Sequence, residues 1–356
     1  MIVNELTKIS DLISELIKND DFPEKIEPIQ LKNAVVSYPM RAGKRLRPAL
    51  VLWSCGLLEG DLKQAEYAAA AVEIYHNWTL VHDDIIDEDE LRRGMPATHT
   101  ELAEYARDNY SLDIKKAKKF GSDFAILAGD LQHAWAMNLL LKSTQRGVSS
   151  DLVTALSRNL CEILSRDLIS GEALDVEFSY RNIKNVTSEE VEKMMYLKTG
   201  ALLNYSVTTG AKIALKTDNN LDRRLQKLSD FATAAGIAFQ LRDDWLGIFG
   251  ETESFGKPLG TDICSAKPTM LLLNTLRNLK QNDRNKLLGF IGAPKITSGE
   301  LMDIRSLVRK SGAEKDILEK SNNLKNYAKQ SLAGFPDNKY KKLLLDLNDY
   351  LVDRIH

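Results

Sequence analysis

The 356-residue sequence predicts an all-α protein, and three observations lead to this prediction. Apolar residues recur at spacings of three and four through long segments, as they do on one face of a helix. Alternating runs of the kind that form half-buried strands are few, and no Asn-Gly turn joins two of them. No repeat, low-complexity tract or Pro/Gly-rich linker divides the chain, so we expect one large helical domain over residues 1–356.

Each helix is predicted from its own run of residues. The first is amphipathic between Leu6 and Ile17, and the second, over 65–80, is rich in alanine. Further along the chain, Ser188-Glu189-Glu190 marks a helix start, because acidic residues there meet the positive end of the helix dipole. The remaining helices are predicted over 124–141, 151–170, 188–209 and 221–245.

Composition excludes several classes of protein. A net charge of −2 and a pI near 6.3 argue against a nucleic-acid-binding surface, which normally needs a clustered basic excess. Three widely separated cysteines argue against a disulfide framework, so we expect the protein to lie in the reducing cytoplasm. The amino terminus lacks the basic start and apolar stretch of a signal peptide. No window reaches 18 uninterrupted apolar residues, so we expect no membrane span.

Three aspartates near residue 83 have a spacing that suits a metal ion. On a helix, Asp83 and Asp87 lie four residues apart on one face, and Asp84 lies beside them. Like charges in this arrangement repel unless a cation sits between them, and carboxylates that join phosphate oxygens are typical magnesium ligands. The alternative is a solvated acidic surface turn. The apolar run 68–78 just upstream favours a buried helix that ends in a carboxylate cluster at the wall of a cavity.

A second carboxylate pair, Asp243 and Asp244, repeats this layout after an apolar helix that starts near Phe231. Alone, the pair would say little about function. Two such helices facing one another would form an acidic cage for several divalent cations and one diphosphate. We therefore predict a diphosphate ester as the ligand of the two clusters.

Basic residues that suit phosphate groups accompany both clusters. Arginine matches phosphate oxygens as a bidentate fork and lysine acts as a point charge, although any one of these residues could be ordinary surface charge. In the segment from Gly43 to Arg47, we expect Lys44 and Arg47 to share one helical face. A chain that binds one diphosphate through metal and another through basic side chains would need both sets. The other basic candidates are Arg92, Arg93, Lys198, Lys257 and Lys267.

Taken together, these segments resemble the trans-prenyl diphosphate synthases, also called polyprenyl synthetases, from about Arg41 to Thr269. The two aspartate clusters look like the family's first and second aspartate-rich motifs, and 43–48 looks like its homoallylic diphosphate motif. The resemblance implies the helical bundle of isoprenoid synthases, with a central active-site cavity. Other segments that match family signatures in the same order are 128–130, 171–175, 198–200 and 256–262.

The resemblance also implies roles for individual residues. It implies Asp83, Asp87 and Asp243 as metal ligands, supported by Asp84 and Asp244. Residues that would hold the allylic diphosphate are Arg92, Lys198, Lys257 and Gln240, and further substrate-binding residues are Thr199 and Lys267. Residues that would hold isopentenyl diphosphate are Lys44, Arg47, His76 and Arg93. The residues implied in catalysis are Asp83, Asp84, Asp87, Lys198, Asp243 and Lys257.

The implied reaction is a magnesium-dependent head-to-tail condensation that yields an all-trans prenyl diphosphate. Three Mg²⁺ ions per active site and the basic side chains would stabilise the departing diphosphate, so that the allylic carbon ionises. The double bond of isopentenyl diphosphate then attacks, and a proton is lost to the released diphosphate. The implied allylic partner is dimethylallyl, geranyl or farnesyl diphosphate. By analogy, we also expect a homodimer.

Two features depart from the family's pattern. Gly247 stands where a third aspartate of the second cluster would fall, which leaves Asp243 as the main ligand there. Residues 100–119 make the chain longer than is usual in the family, and they are mostly polar and charged. We interpret them as a solvated surface insertion rather than as a lid or a partner contact.

Product length is predicted from bulky residues upstream of the first aspartate cluster, which act in this family as a floor under the growing hydrocarbon. Trp78 lies five residues before Asp83, about 7.5 Å along a helix, and Tyr75 lies one turn deeper. A single tryptophan, with no insertion in the motif, resembles enzymes that make the twenty-carbon geranylgeranyl diphosphate. The alternatives are a farnesyl or longer polyprenyl product, with Trp78 packed in the core and away from the product.

Two other functions compete with an active synthase. A class I terpene cyclase would need a second metal motif of Asn, Ser or Thr, and Glu, and it would not need the basic motif at 43–47. A regulatory subunit of a heteromeric synthase would typically have lost one aspartate cluster. Both clusters and the basic motif are present here, so we predict an active synthase.

Overall fold

The computed structural model describes residues 2–41, 43–250 and 259–353, and nearly all regular structure in this part of the chain is helical. The predicted all-α class is confirmed. Spatial contacts divide the chain into two compact units, the first comprising Met1–Ile163, Tyr205–Leu225 and Pro336–Leu344, and the second comprising Leu164–Asn204, Gln226–Phe335 and Leu345–His356. That one domain spans both units stays a prediction.

The first seven helices belong to the first unit. They are α1 (Ile2–Lys18), α2 (Ile29–Met40), α3 (Leu46–Leu57), α4 (Leu62–Ile86), α5 (Thr98–Tyr110), α6 (Ile114–Leu141) and α7 (Ser150–Arg158). The amphipathic helix predicted from Leu6 is α1, and its residues Leu6, Ile13 and Ile17 are buried. The alanine-rich helix is α4, which extends beyond the predicted end into the first aspartate cluster.

The long helices α4 and α6 pack closely against each other because small residues lie between them. Ala68 and Ala71 on α4 are fully buried, and so are Ala125 and Ala128 on α6. At Gly129 the approach is so close that an added Cβ would overlap the imidazole ring of His82. This packing fixes α4, and with it the carboxylates at its C-terminal end.

A short antiparallel ribbon follows α4, where the sequence had shown no strand signal. Strand β1 (Leu91–Arg92) pairs with β2 (Met95–Pro96), with Leu91 opposite Pro96 and Arg92 opposite Met95. Two-residue strands are too short for an alternating pattern, which explains why sequence periodicity missed them. The ribbon turns tightly because Arg93 and Gly94 both have positive φ, 57° and 76°.

Residues 100–119 form most of α5 and the start of α6. Tyr110, Ile114 and the lysines near the start of α6 are exposed, whereas Leu102, Ala106 and Ala117 are buried between helices. The segment is therefore helical, with one packed face and one solvated face. Its interpretation as an insertion stays a prediction.

The remaining helices lie wholly or partly in the second unit. In chain order they are α8 (Arg166–Tyr180), α9 (Ser188–Met195), α10 (Ala201–Leu215), α11 (Arg223–Phe249), α12 (Thr261–Cys264), α13 (Met270–Asn278), α14 (Gln281–Leu288), α15 (Ser298–Ser311), α16 (Ala313–Ser331) and α17 (Lys339–Val352). Of these, α10, α11 and α17 have residues in both units. Phe178, Leu241, Leu271 and Ile304 are fully buried in the core of the second unit. Among the described residues, no helix combines the length and apolar character needed to cross a membrane.

Two helices that the sequence predicts as continuous contain π-helical turns. The first turn, Asn159–Ser165, separates α7 from α8, and the second, Tyr196–Gly200, separates α9 from α10. Such wide turns occur frequently at functional sites, and the second contains Lys198 and Thr199. The predicted start of α9 at Ser188 is confirmed, with Thr187 and Glu190 forming its capping box.

Candidate active site

Three aspartates lie at the C-terminal end of α4 in the first unit. Asp83 and Asp84 belong to its last turns, whereas Asp87 follows the last helical residue and donates its N–H to the Asp83 carbonyl oxygen at 2.8 Å. Asp84 is fully buried, Asp83 is partly exposed and Asp87 is exposed. Asp83 and Asp87 can therefore reach a ligand, while Asp84 faces protein groups.

Buried Asp84 is held by two donors. The Tyr38 hydroxyl on α2 donates to Asp84 Oδ2, and Arg92 Nη2 donates to Asp84 Oδ1. The same Arg92 nitrogen lies 3.5 Å from Asp83 Oδ2 and 3.5 Å from Asp89 Oδ2. The end of α4 thus already has a guanidinium among three carboxylates, which shows that this group of oxygens attracts a cation.

Arg93, in the turn of the ribbon, packs on the loop that precedes α3. An added Cβ at Gly43 would lie 2.7 Å from Arg93 Nη1, so the guanidinium rests directly on the Gly43 backbone. Only glycine permits this approach without a shift of the neighbouring side chain. The close contact joins the ribbon to the basic segment that the sequence singled out.

The structure contradicts the expectation that Lys44 and Arg47 share a helical face. Helix α3 begins at Leu46, and the preceding Arg45 has φ 45° and ψ 42°, in the left-handed region. Lys44 therefore lies outside the helix and is exposed, whereas Arg47 lies in the first turn of α3. Spacing alone did not predict this break, although Pro48, which a helix tolerates in its first turn, was a local signal for a helix start close to Leu46.

His76 lies on α4 within this basic region. Burial lowers its pKa well below the usual value of 6.5, and the charges of Arg47 and Arg93 lower it further. Burial also lowers the pKa of Arg47 to about 10. A region in which cations are packed this closely is suited to an anion of several charges, such as a diphosphate.

The two predicted floor residues contact each other on α4. Trp78 is 8% exposed and Tyr75 is fully buried, and their rings meet edge to face with centroids 4.8 Å apart. His133 on α6 lies 4.8 Å from the Trp78 ring and 5.6 Å from the Tyr75 ring, and His82 lies 5.9 Å from Trp78. The sequence analysis did not identify the two histidines, which the packing of α4 on α6 brings to this aromatic cluster.

The second acidic cluster lies near the C-terminal end of α11 in the second unit. Asp243 and Asp244 are partly exposed, and Asp244 Oδ2 accepts the backbone N–H of Met270 at 3.2 Å. Burial raises the pKa of the Asp244 carboxyl well above its usual range, and the charges of Asp262 and Asp243 raise it further. Burial and the charges of two neighbouring carboxylates thus both disfavour a negative charge on Asp244.

A cavity of about 270 Å³ in the second unit joins these aspartates to basic and polar residues. Lys198 Nζ contacts Asp175 Oδ2 at 2.7 Å and Glu172 Oε2 at 2.9 Å, and Lys267 Nζ lies 3.3 Å from the same Asp175 oxygen. Gln240 Nε2 donates to Thr199 Oγ1 at 3.0 Å. The residues around the cavity that were predicted from sequence are Lys198, Thr199, Gln240, Asp243, Asp244 and Lys267.

Two carboxylates in this cavity had no assigned role in the sequence analysis. Asp175 accepts from two lysines. After burial, the charge of Asp262 is the largest cause of the raised pKa of Asp244. Asp262 places a third acid beside Asp243 and Asp244, although Gly247 interrupts the motif in the sequence. Asp175 and Asp262 lie in the segments 171–175 and 256–262, which match family signatures, and this match was the signal that the sequence offered for them. The predicted site residue Lys257 lies outside the described residues.

The donor chemistry of both acidic clusters fits a hard divalent cation. In the described ranges, no three His, Cys, Asp or Glu side chains are already gathered as a metal site. Burial raises the pKa of Asp244, the charges of Asp262 and Asp243 raise it further, and a divalent cation would relieve the repulsion among these charges. At the first cluster, Arg92 lies beside Asp83 as a cationic partner. Each cluster thus supplies hard oxygen ligands in a setting that favours a cation.

The chain is similar to known proteins over most of its length. The sequence profile of the Polyprenyl synthetase family matches residues 29–308. A geranylgeranyl diphosphate synthase from Sulfolobus acidocaldarius is 35% identical over 315 residues, which cover 86% of this chain and 84% of that protein. The matched region contains both acidic clusters and the basic segment before α3.

Solved structures share the fold over nearly the whole chain. The geranylgeranyl pyrophosphate synthetase from Pyrococcus horikoshii has a TM-score of 0.85 at 30% identity, covering 99% of this chain and 98% of that one. The geranylgeranyl pyrophosphate synthase from Corynebacterium glutamicum, solved with isoprenyl diphosphate and magnesium, has a TM-score of 0.81 at 27% identity. The match covers 99% of this chain and 97% of the Corynebacterium chain.

Proposed function

This chain belongs to the polyprenyl synthetase family and is a prenyltransferase, and we propose that it condenses isopentenyl diphosphate with an allylic diphosphate to make geranylgeranyl diphosphate. The observation that carries the proposal is the combination of carboxylates and basic residues around the cavity of the second unit. Such a combination suits a metal-bound diphosphate better than any neutral ligand.

We propose that the allylic diphosphate is bound by the carboxylates through divalent metal and by basic side chains directly. Asp83, Asp87 and Asp243 would hold magnesium, with Asp262 as a further carboxylate beside the last of these. When bound, the metal neutralises charge on the leaving diphosphate and so favours its departure. Residues that would contact the diphosphate itself are Arg92, Lys198, Thr199, Gln240, Lys257 and Lys267.

In the structure, Lys198 forms ion pairs with carboxylates of the protein. Its ammonium group contacts Asp175 and Glu172, and Lys267 shares the same Asp175 oxygen. A diphosphate that arrives with its metal offers a stronger anion, so both lysines can exchange one carboxylate partner for phosphate oxygens. The ammonium groups of Lys198 and Lys267 would then stabilise the negative charge that develops on the leaving diphosphate.

Isopentenyl diphosphate would occupy the basic region of the first unit. Lys44, Arg47 and Arg93 would bind its diphosphate by charge, and neutral His76 would add a hydrogen bond. No side-chain nucleophile is required, because the double bond of isopentenyl diphosphate attacks the allylic carbocation. The proton released after bond formation would pass to the departing diphosphate.

Two finer features belong to the same proposal. Trp78 and Tyr75 would limit the product to twenty carbons, since bulky buried rings five and eight residues before Asp83 can block a growing chain. A homodimer is proposed by analogy with the family alone.

The function is tested with purified protein, isopentenyl diphosphate, farnesyl diphosphate and magnesium, followed by chromatography of the dephosphorylated products. We expect the twenty-carbon alcohol, and no product when EDTA removes the metal. A cyclic hydrocarbon would identify a terpene cyclase instead. If no product formed, the chain would be a regulatory subunit. A product of another length would refute geranylgeranyl diphosphate while keeping the class of reaction.

A further inference from the structure

Arg45 lies between the proposed ligands Lys44 and Arg47 and has no assigned role. It is 3% exposed, and its left-handed backbone, with φ 45° and ψ 42°, is one that residues with side chains rarely adopt. Its carbonyl oxygen accepts the N–H of Ala49 at 3.1 Å, so this residue also starts the hydrogen bonding of α3. Contacts elsewhere must hold the unfavourable backbone conformation in place.

The guanidinium of Arg45 supplies these contacts by donating to three acceptors. Arg45 Nη2 donates to the Pro39 carbonyl oxygen at 2.6 Å and to the Arg41 carbonyl oxygen at 3.0 Å. Arg45 Nη1 donates to Glu73 Oε1 on α4. One planar side chain thus ties the end of α2, the start of α3 and the middle of α4 together, which a lysine could not do with the same geometry.

Glu73 is itself fixed in position. It is 2% exposed, and the fully buried Asn77 donates to its carbonyl oxygen at 2.6 Å and lies 3.4 Å from its Oε1. Burial lowers the pKa of both Arg47 and Arg93, and the carboxylate is close enough to both for its charge to oppose this lowering. Glu73 therefore holds Arg45 by contact and offsets the positive charge of its neighbours.

We propose that Glu73 and Arg45 form a positioning pair that sets the affinity for isopentenyl diphosphate without touching it. The inference rests on the proposed function, because it concerns the basic region assigned to that substrate. Lys44 immediately precedes Arg45 and Arg47 follows two residues later, so any change in the Arg45 backbone moves both. His76 lies three residues after Glu73 on α4, so the pair also fixes the loop relative to the histidine.

The test compares steady-state kinetics of Arg45→Lys, Glu73→Gln and the double variant with those of the wild-type protein. Arg45→Lys keeps the charge but loses the three-way fork, so a positioning role predicts a KM for isopentenyl diphosphate raised about tenfold. The KM for farnesyl diphosphate and kcat should stay within about twofold. Because the two residues act as a unit, the double variant should be no worse than the poorer single variant.

Asp20→Asn is the matched control, because Asp20 is also a buried carboxylate of the first unit with its own partners. It is 8% exposed and accepts from Trp135 Nε1 at 3.0 Å and Lys142 Nζ at 2.7 Å. This variant should lose thermal stability without a change in either KM. If the Arg45 and Glu73 variants also lost thermal stability without a change in either KM, the pair would be purely structural. That result would overturn the proposal.

Other outcomes separate this proposal from the proposed function. Equal increases in both KM values, or increases that multiply in the double variant, would also overturn the positioning role. Glu73→Gln keeps the length of the side chain and one acceptor oxygen, so it decides the question if Arg45→Lys fails to fold. If the wild-type protein makes no prenyl product at all, the proposed function fails before any variant is compared.

Discussion

Trp78 offers the sharpest prediction at the scale of one residue. Its ring packs against Tyr75 and His133 at centroid distances of 4.8 Å each, on the helix that presents Asp83. We expect Trp78→Ala to open space below the carboxylates, so that the main product grows beyond twenty carbons. Chromatography of dephosphorylated products measures the change.

The control for this variant is Trp135→Ala, which removes another buried tryptophan of the first unit. Trp135 is fully buried, stacks on Phe22 and donates to Asp20, and it contacts neither Trp78 nor Tyr75 among the described ring pairs. Both variants should lose about 3–5 kcal/mol of stability, but only Trp78→Ala should lengthen the product. An unchanged product length would show that Trp78 is ordinary core.

His76 should couple stability to pH. Its pKa in the folded protein lies well below 6.5, because it is buried and Arg47 and Arg93 lie near it, with Arg92 and Arg45 adding to the effect. Below about pH 6.5 the unfolded chain therefore binds a proton that the folded protein does not, and the free energy of unfolding falls as pH falls. Guanidinium unfolding should show a smaller loss for His76→Gln than for wild type between about pH 7.5 and 5.5. Equal losses would contradict a depressed pKa at His76.

At the same scale, the sequence offered candidates for the acidic and basic ligands but not for the residues that hold them in place. Asp83 and Asp243 belong to local clusters, which spacing reveals directly. Asp175 and Glu73 act on partners 23 and 28 residues away, and only the fold brings those partners together. No local pattern encodes such contacts, so these two carboxylates gained roles only from the structure.

At the scale of helices, Gly171 allows α8 to approach the π-helical turn that carries Lys198. A Cβ at this position would overlap the Lys198 backbone nitrogen and lie 2.7 Å from the Leu197 carbonyl carbon. We expect Gly171→Ala to reduce the free energy of unfolding by about 1–3 kcal/mol and to raise the KM for the allylic substrate. Denaturant titration and steady-state kinetics measure the two effects.

Gly299→Ala is the matched control, since Gly299 lies in α15 with nothing within 4 Å of an added Cβ. It should leave kinetics unchanged and raise stability by up to about 1 kcal/mol. If Gly171→Ala behaved like this control, the close packing of α8 on the turn would not matter for Lys198.

Helices as elements were predictable, whereas their interruptions were not. The apolar periodicity that predicted α1, α4 and α11 reports which faces are buried. The π-helical turns at 159–165 and 196–200 keep the chain helical and so leave that periodicity nearly intact. The left-handed Arg45 is held by side-chain contacts with Glu73 and the Pro39 carbonyl oxygen, which apolar periodicity does not report, so the break before α3 was missed.

For the molecule as a whole, the central claim is that the proposed condensation requires both acidic clusters. Asp83 belongs to the first unit and Asp243 to the second, and the chain's family profile spans both. A chain in which either cluster were merely surface charge would tolerate its loss. Sequence alone suggested that both were needed, but it could not show that the chain divides into these units.

The most direct measurement is the initial rate of condensation with magnesium for Asp83→Asn and Asp243→Asn. Each substitution keeps the shape of the side chain but removes a charged metal ligand, so we expect each to reduce the rate by at least about a thousandfold. Asp108→Asn, at an exposed position on α5, should retain the wild-type rate. A rate within about tenfold of wild type for either Asp83→Asn or Asp243→Asn would contradict the account.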